Sequence, residues 1–286
     1  MRLLASFLSV LAFTSGSVAQ NSIIWKVTGN GLKEPSYVMG TLKFIGEKEY
    51  YMPANIQPLL RSCELFAIED RVDHHAQHEL NKALHFPKGQ SLATASPEVY
   101  AQTQAFFASE FKIPKGAFDA RYAKLKPLAI SMTMIRLSLG EGVKFYDMEL
   151  LKMAKANKLK TYSLETIERE AQALNAYPLA DQLTALSHSV KNFAALKDEF
   201  QKLMADYPKG ALEEIFQYTL HPIENNPVFV HEFYTKRNAE WMPKINRMMA
   251  QAPSFIAVGV SHLEGEAGLL ALLKKEGYTL EPVAVQ

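Results

Sequence analysis

The sequence predicts an α/β fold, with a mixed sheet, long helices and a helical insertion in a single compact domain. Three observations carry that expectation. Six short apolar or β-branched runs are spread along the 286 residues, long segments with helical spacing separate them, and no Gly/Ser-rich or Pro-rich linker divides the chain.

In chain order, the first two strands are expected at 23–27 and 37–41, joined through the Gly29-Asn30-Gly31 turn. Further strands are expected at 65–69, 159–163, 255–258 and 278–282. Helical periodicity covers 97–111, 121–139, 147–157, 179–207, 228–249 and 265–276, so helix dominates the middle of the chain. Two strand ends resemble each other: 36–43 and 254–262 each run through an apolar stretch into Gly-x-x and then a polar residue, Lys43 in one and His262 in the other. A Gly there frees the backbone to turn, and the polar side chain then points into the crevice at the strand's carboxyl end.

The N-terminus reads as an export signal: Met1-Arg2 is a positive start, Leu3 to Phe13 is apolar, and Ser17-Val18-Ala19 has the small-x-small pattern of a cleavage site. A membrane anchor is the competing reading, but the run falls short of the roughly 20 apolar residues that span a bilayer. Residues 1–19 are therefore expected to be removed near Ala19, leaving one domain over 20–286 that works in the periplasm or as a secreted protein. No transmembrane span is expected in that mature chain. The charge is nearly balanced, 31 basic against 30 acidic side chains, which gives no electrostatic case for nucleic acid or for anionic membrane. Cys63 is the only cysteine, so no intramolecular disulfide forms, and its apolar neighbourhood predicts a buried, inert thiol.

His262 is the first candidate for chemistry, because a neutral imidazole at a strand end ligates a metal or acts as a general base; the alternative is a hydrogen-bonded structural histidine. Glu69 and Glu165 each follow a predicted strand, where a carboxylate holds a metal or polarises water, or merely caps a helix. Arg237 and Asn238 lie within a predicted helix and would steady an anionic group or a carboxylate, unless they belong to a solvated face. His74 and His78 share a helix face at zinc-site spacing but lack the Glu of His-Glu-x-x-His, and a solvated segment is the expected reading.

Taken together, Ile24-Trp25-Lys26, the string from Tyr37 to Leu42, Phe66 to Asp70, Tyr162 to Thr166, Arg237-Asn238 with Trp241, and Ala257 to Gly265 resemble the TraB/GumN family, related to the Tiki-type metalloproteases. The resemblance implies a compact α/β fold in which two Gly-x-x-His turns and an acid after an early strand meet in one site. It implies a metal-dependent hydrolase of peptidase type, with Glu69 and His262 as metal ligands or base and with Glu165, Arg237 and Asn238 lining the site. The cofactor is then a divalent metal of unnamed identity, or none. Two departures stand out. The first Gly-x-x-His reads Gly40-Thr-Leu-Lys43, and an ammonium has no lone pair for a metal. Phe145 stands where the family pattern places Gly two residues before Asp147, and its ring is expected to fill substrate space. Three functions follow: the metal-dependent hydrolase; a degenerate envelope protein that binds a peptide or saccharide without turnover, with Lys43 paired to Glu69 in place of the metal; and a metal-free mechanism with desolvated Lys43 as general base.

Overall fold

The computed structural model describes residues 21–70, 73–140, 142–219 and 226–285, so the export signal expected at 1–19 lies outside the described residues. All six predicted strands form and join one sheet. They are β1 (Ile24–Gly29), β2 (Ser36–Thr41), β3 (Leu65–Ile68), β4 (Lys160–Ser163), β5 (Ser254–Gly259) and β6 (Tyr278–Pro282). Their spatial order is β4-β3-β5-β2-β1-β6. The first four of that order are mutually parallel, and β1 and β6 add an antiparallel edge.

The burial of each strand explains its composition. β3 and β5 are central and covered on both faces, so Leu65 to Ile68 and Phe255 to Val258 read as continuous apolar runs. At the antiparallel edge, β1 is only half-buried: Ile24 and Val27 are buried in the same core as Val38 and Met39, while Trp25, Lys26 and Thr28 are partly exposed. The turn after β1 places Gly29, Asn30 and Gly31 at positive φ, as the Gly-Asn-Gly string requires. Cys63 is buried in the same core, and burial pushes its thiol up to about 12, which leaves it protonated and inert.

The helical insertion is real but more finely divided than its periodicity suggests. Within the stretch predicted at 121–139 the helix is confined to Pro127–Ser138, because Lys126 before the proline is extended, and a separate helix, Lys115–Arg121, ends where that stretch was expected to begin. That at 179–207 breaks at Asn192 into Leu179–Lys191 and Phe193–Asp206. Helices Ile56–Arg61, His74–Leu84, Ile167–Asn175 and Leu212–Thr219 were not expected. Phe107, Phe118, Ile130, Met134, Leu186 and Phe193 close a second core inside this insertion, separate from the one on the sheet. No helix among the described residues is long and apolar enough to cross a membrane.

Candidate functional site

Each parallel strand delivers a charged or polar side chain just past its carboxyl end. Lys43 follows β2, Glu69 follows β3, Glu165 follows β4 and His262 follows β5. The chain leaves β3 for β4 on one side and leaves β5 for β6 at the far edge, so a crevice opens between β3 and β5. Glu69 and His262 come from these two strands, with Glu69 Oε1 4.0 Å from His262 Nε2.

Arg237 closes the crevice from the helical side. It lies on Lys236–Gln251, directly after a π-helical turn at His231–Thr235. Phe233, Arg237 and Trp241 are spaced by four and share a helix face; the guanidinium carbon sits 4.5 Å from the Phe233 ring centroid and 4.8 Å from that of Trp241. The side chain is fully buried, and all five of its N–H groups are used. Nε donates to Glu165 at 2.9 Å, Nη2 donates to Glu69 Oε2 at 2.7 Å and also to Glu165, and Nη1 donates to the Phe233 carbonyl at 3.2 Å and meets His262 Nε2 at 3.1 Å. The solvated-face reading of Arg237 and Asn238 is thereby overturned, since both are buried against carboxylates and imidazole.

The same network assigns the His262 tautomer. Asn238 Nδ2 donates to the carbonyls of His262 and Ala267 at 3.2 and 2.8 Å, which leaves its Oδ1 to accept from His262 Nδ1–H at 2.7 Å. Nε2 then carries the lone pair and accepts from Arg237. Burial, reinforced by Arg237, holds the imidazole down at about 3, so it is neutral at pH 7. Burial pushes Glu165 up, while its two-pronged contact with Arg237 favours the charged form.

Burial would also raise Glu69, but His262, Arg237, Lys43 and the Gly259 N–H together hold it down at about 2. Because the imidazole is neutral near pH 7, Arg237, Lys43 and the Gly259 N–H, which donates to Glu69 Oε1 at 2.5 Å, stabilise the carboxylate there. A side chain on Gly259 would meet that oxygen at 3.1 Å, and one on Gly40 would meet Val260 and Leu263 at 2.9 Å. Neither glycine has a positive φ. Their role is close approach rather than the sharp turn the sequence suggested, and it lets the two Gly-x-x ends pack against each other.

Lys43 does not pair with Glu69 as expected. Its Nζ lies 3.4 Å from Glu170 Oε1, on the unforeseen helix Ile167–Asn175. The Lys43 side chain is half exposed, so solvent screens this pair, whereas Glu170 is 4 % exposed. Glu170, with help from Glu69 and Asp147, raises the Lys43 ammonium above its ordinary value, which opposes the general-base reading of Lys43. Glu170 itself is held low against its own burial, chiefly by Lys43. Asp70, beside it, is pushed up to about 8 by burial and by Glu170, and Asp147, which accepts from Thr41 Oγ1 at 3.1 Å, is pushed up to about 6 by burial and by Glu69.

Above this floor is a cavity of about 300 Å³. Leu80, Leu84, Leu128, Met132, Leu174 and Phe229 make its walls, while Lys43, Glu69, Glu170 and His262 make its floor. Phe145 takes no part in the lining; it is exposed at the start of helix Tyr146–Ala156, so the expectation that its ring fills substrate space does not hold. His74 and His78 are exposed on their helix, as expected. Glu170 escaped sequence reading because it follows no strand end; the helix N-cap Thr166, three residues before Arg169, was the available signal.

A resident metal does not fit the side chains as arranged. Among the described residues no group of three or more His, Cys, Asp or Glu is placed to hold an ion. The lone pair of His262 Nε2 and both oxygens of Glu69 face N–H donors, and Lys43, at the neighbouring strand end, is an ammonium paired with Glu170 that offers no lone pair.

Comparison with known proteins agrees with the strand-end motifs. "Metalloprotease TIKI1" of Danio rerio is 20 % identical over 313 residues, covering 91 % of this chain and 63 % of the relative. "Metalloprotease TIKI homolog" of Amphimedon queenslandica is 19 % identical over 325 residues, covering 95 % and 63 %. "Metalloprotease TIKI1" of Xenopus tropicalis is 21 % identical over 311 residues, covering 90 % and 61 %. The chain thus spans about three-fifths of the length of these relatives. No solved structure matches it. The sequence profile of the TraB/PrgY/gumN family matches residues 23–282, which takes in all six strands and every strand-end residue above, and the chain belongs to that family.

Proposed function

We propose that this chain is an exported protein of the TraB family that holds a peptide in the crevice by a bulky apolar side chain, without metal-dependent turnover. One observation carries the reading: the Arg237 guanidinium donates to Glu69 and Glu165 and fills the lone pair of His262, the groups on which a metal-dependent step would rest. Lys43 adds a second fixed cation where the family pattern has histidine. The aliphatic wall favours a peptide side chain over a saccharide, whose hydroxyls would lose water there without gaining partners. Export follows from the composition of residues 1–19, and it makes extracytoplasmic peptides the natural ligands.

Peptidase-type hydrolysis with a divalent metal is the second reading, favoured by relatives named metalloproteases across nine-tenths of the chain. It requires Arg237 to leave both Glu69 and His262. The protein, stripped with chelator and reloaded with zinc or manganese, separates the two. The expected result is no stoichiometric metal uptake and binding of apolar peptides that chelator leaves unchanged. Metal uptake lost in His262→Ala, together with chelator-sensitive cleavage of a peptide library, would overturn the binding reading.

A further inference from the structure

We infer that the crevice continues into a second chamber, between the helices of the insertion, that takes the phenol ring of a tyrosine from the bound peptide. This rests on the peptide-binding reading above. The chamber has a volume of about 290 Å³ and shares the wall of Phe44, Leu128, Met132 and Phe200 with the cavity over Glu69 and His262. Two chambers on one wall match two side chains on the same face of an extended peptide, where every second residue points the same way. Ile135 and Leu196 extend the apolar lining for the body of the second side chain.

Its polar tip is argued from two hydroxyls. Ser131, on helix Pro127–Ser138, and Ser189, on helix Leu179–Lys191, both line the chamber. A helical serine or threonine ordinarily turns its hydroxyl onto a carbonyl one turn back, as Thr133 does with Ala129 at 2.7 Å and Thr184 with Ala180 at 3.1 Å in these same two helices. Ser131 and Ser189 make no such bond, nor any other among the described residues. Ser189 is 4 % exposed, yet its oxygen keeps accessible surface, and that surface belongs to the chamber. A hydroxyl withdrawn from bulk water and without a protein partner is a seat for a ligand atom that both donates and accepts. A phenol supplies that atom on a rigid apolar body. Phenylalanine or leucine would leave the serine unpaired, and a carboxylate would meet Glu199 in the same chamber.

The peptide acetyl-Leu-Ala-Tyr-Ala-Leu-amide and its Phe counterpart, compared by isothermal titration, test this for either direction of the bound chain. The Tyr peptide should bind about five-fold or more tightly than the Phe peptide, the scale of one neutral hydrogen bond. In Ser189→Ala, a substitution that suits a helix, the Tyr preference should fall below about two-fold while the Phe peptide keeps its affinity. A serine that only packs would weaken both peptides alike. Equal binding of the two peptides to the wild type overturns the inference and leaves peptide binding standing. A Tyr preference that survives both Ser189→Ala and Ser131→Ala overturns it as well. Ligand-observed NMR with para-cresol and toluene separates the chamber from the peptide reading. If no peptide binds at millimolar concentration but para-cresol binds more tightly than toluene and loses that lead in Ser189→Ala, the peptide reading falls and the chamber's recognition of a phenol stands. No peptide binding and no lead for para-cresol remove both.

Discussion

The crevice at the strand ends and the core of the helical insertion are both buried, yet they are held together by opposite means. In the crevice, Arg237 is tied to three side chains and one backbone carbonyl by directed hydrogen bonds, and the side chains depend on one another for their charge states. In the insertion, Phe107 packs edge-on against Phe118 at 5.0 Å and beside Tyr122 at 5.1 Å, with no charged group among its aromatic contacts. The first kind of core fixes geometry and fails abruptly when one member goes. The second tolerates exchange as long as volume is kept.

The largest expected effect is that of Arg237→Met, which strands Glu69, Glu165 and the imidazole lone pair and should cost about 3–5 kcal/mol of unfolding free energy. Urea unfolding measures it. Adding Glu165→Gln to that variant should recover part of the loss, because the desolvated charge goes with its partner. A double variant no more stable than the single one would mean that the crevice is held by packing alone, and the contrast between the regions would dissolve.

In the insertion, Phe107→Leu should cost about 1–1.5 kcal/mol, since the shape changes and most of the volume remains. A loss as large as that of Arg237→Met would show the aromatic core to be as exacting as the charge network.

The smallest effect is a difference in pH slope. The His262 imidazole titrates near 3 in the folded chain against an ordinary 6.5, so between those values the unfolded chain binds a proton that the folded one refuses. The His262 contribution to stability therefore falls as pH drops through that window, and that of Glu69, held at about 2 against 4.5, falls further below 4.5. Asp147, pushed up to about 6, and Asp70, pushed up to about 8, act in the other direction: the folded chain binds their protons more tightly, and that stabilisation fades as pH rises. In thermal melts across pH 3.5 to 6.5, His262→Gln should gain stability relative to the wild type as pH falls, because it lacks the imidazole that only the unfolded chain protonates. Phe107→Leu should leave the slope untouched, and parallel slopes for all three proteins would refute the assignment of the loss to His262.

The strand pattern was legible because a buried parallel strand must be apolar throughout and a hairpin must turn at Gly or Asn. That is why Leu65 to Ile68 and Ser254 to Gly259 were placed to within a residue or two. The helical middle was less legible: periodicity runs on through Lys126 and Asn192, where only backbone geometry shows the break. Among the site residues, Glu69, Glu165 and His262 could be named from their positions after strands. Asn238 and Arg237 were named without their partners, and Lys43 was given the wrong one.

By itself the sequence determined the sheet's membership and the strand ends that carry polar side chains, because these depend on local composition and spacing, and its resemblance to the family marked Lys43 as standing where the pattern has histidine. Only the tertiary structure decided who meets whom. The strand order brings Glu69 beside Gly259 across more than 180 residues, a π-helical turn leads into the helix that carries Arg237 into the crevice, and an unpredicted helix sets Glu170 against Lys43. Charge pairing in a buried site follows distances of a few ångströms, and those are fixed by the packing of distant segments rather than by any pattern within one of them.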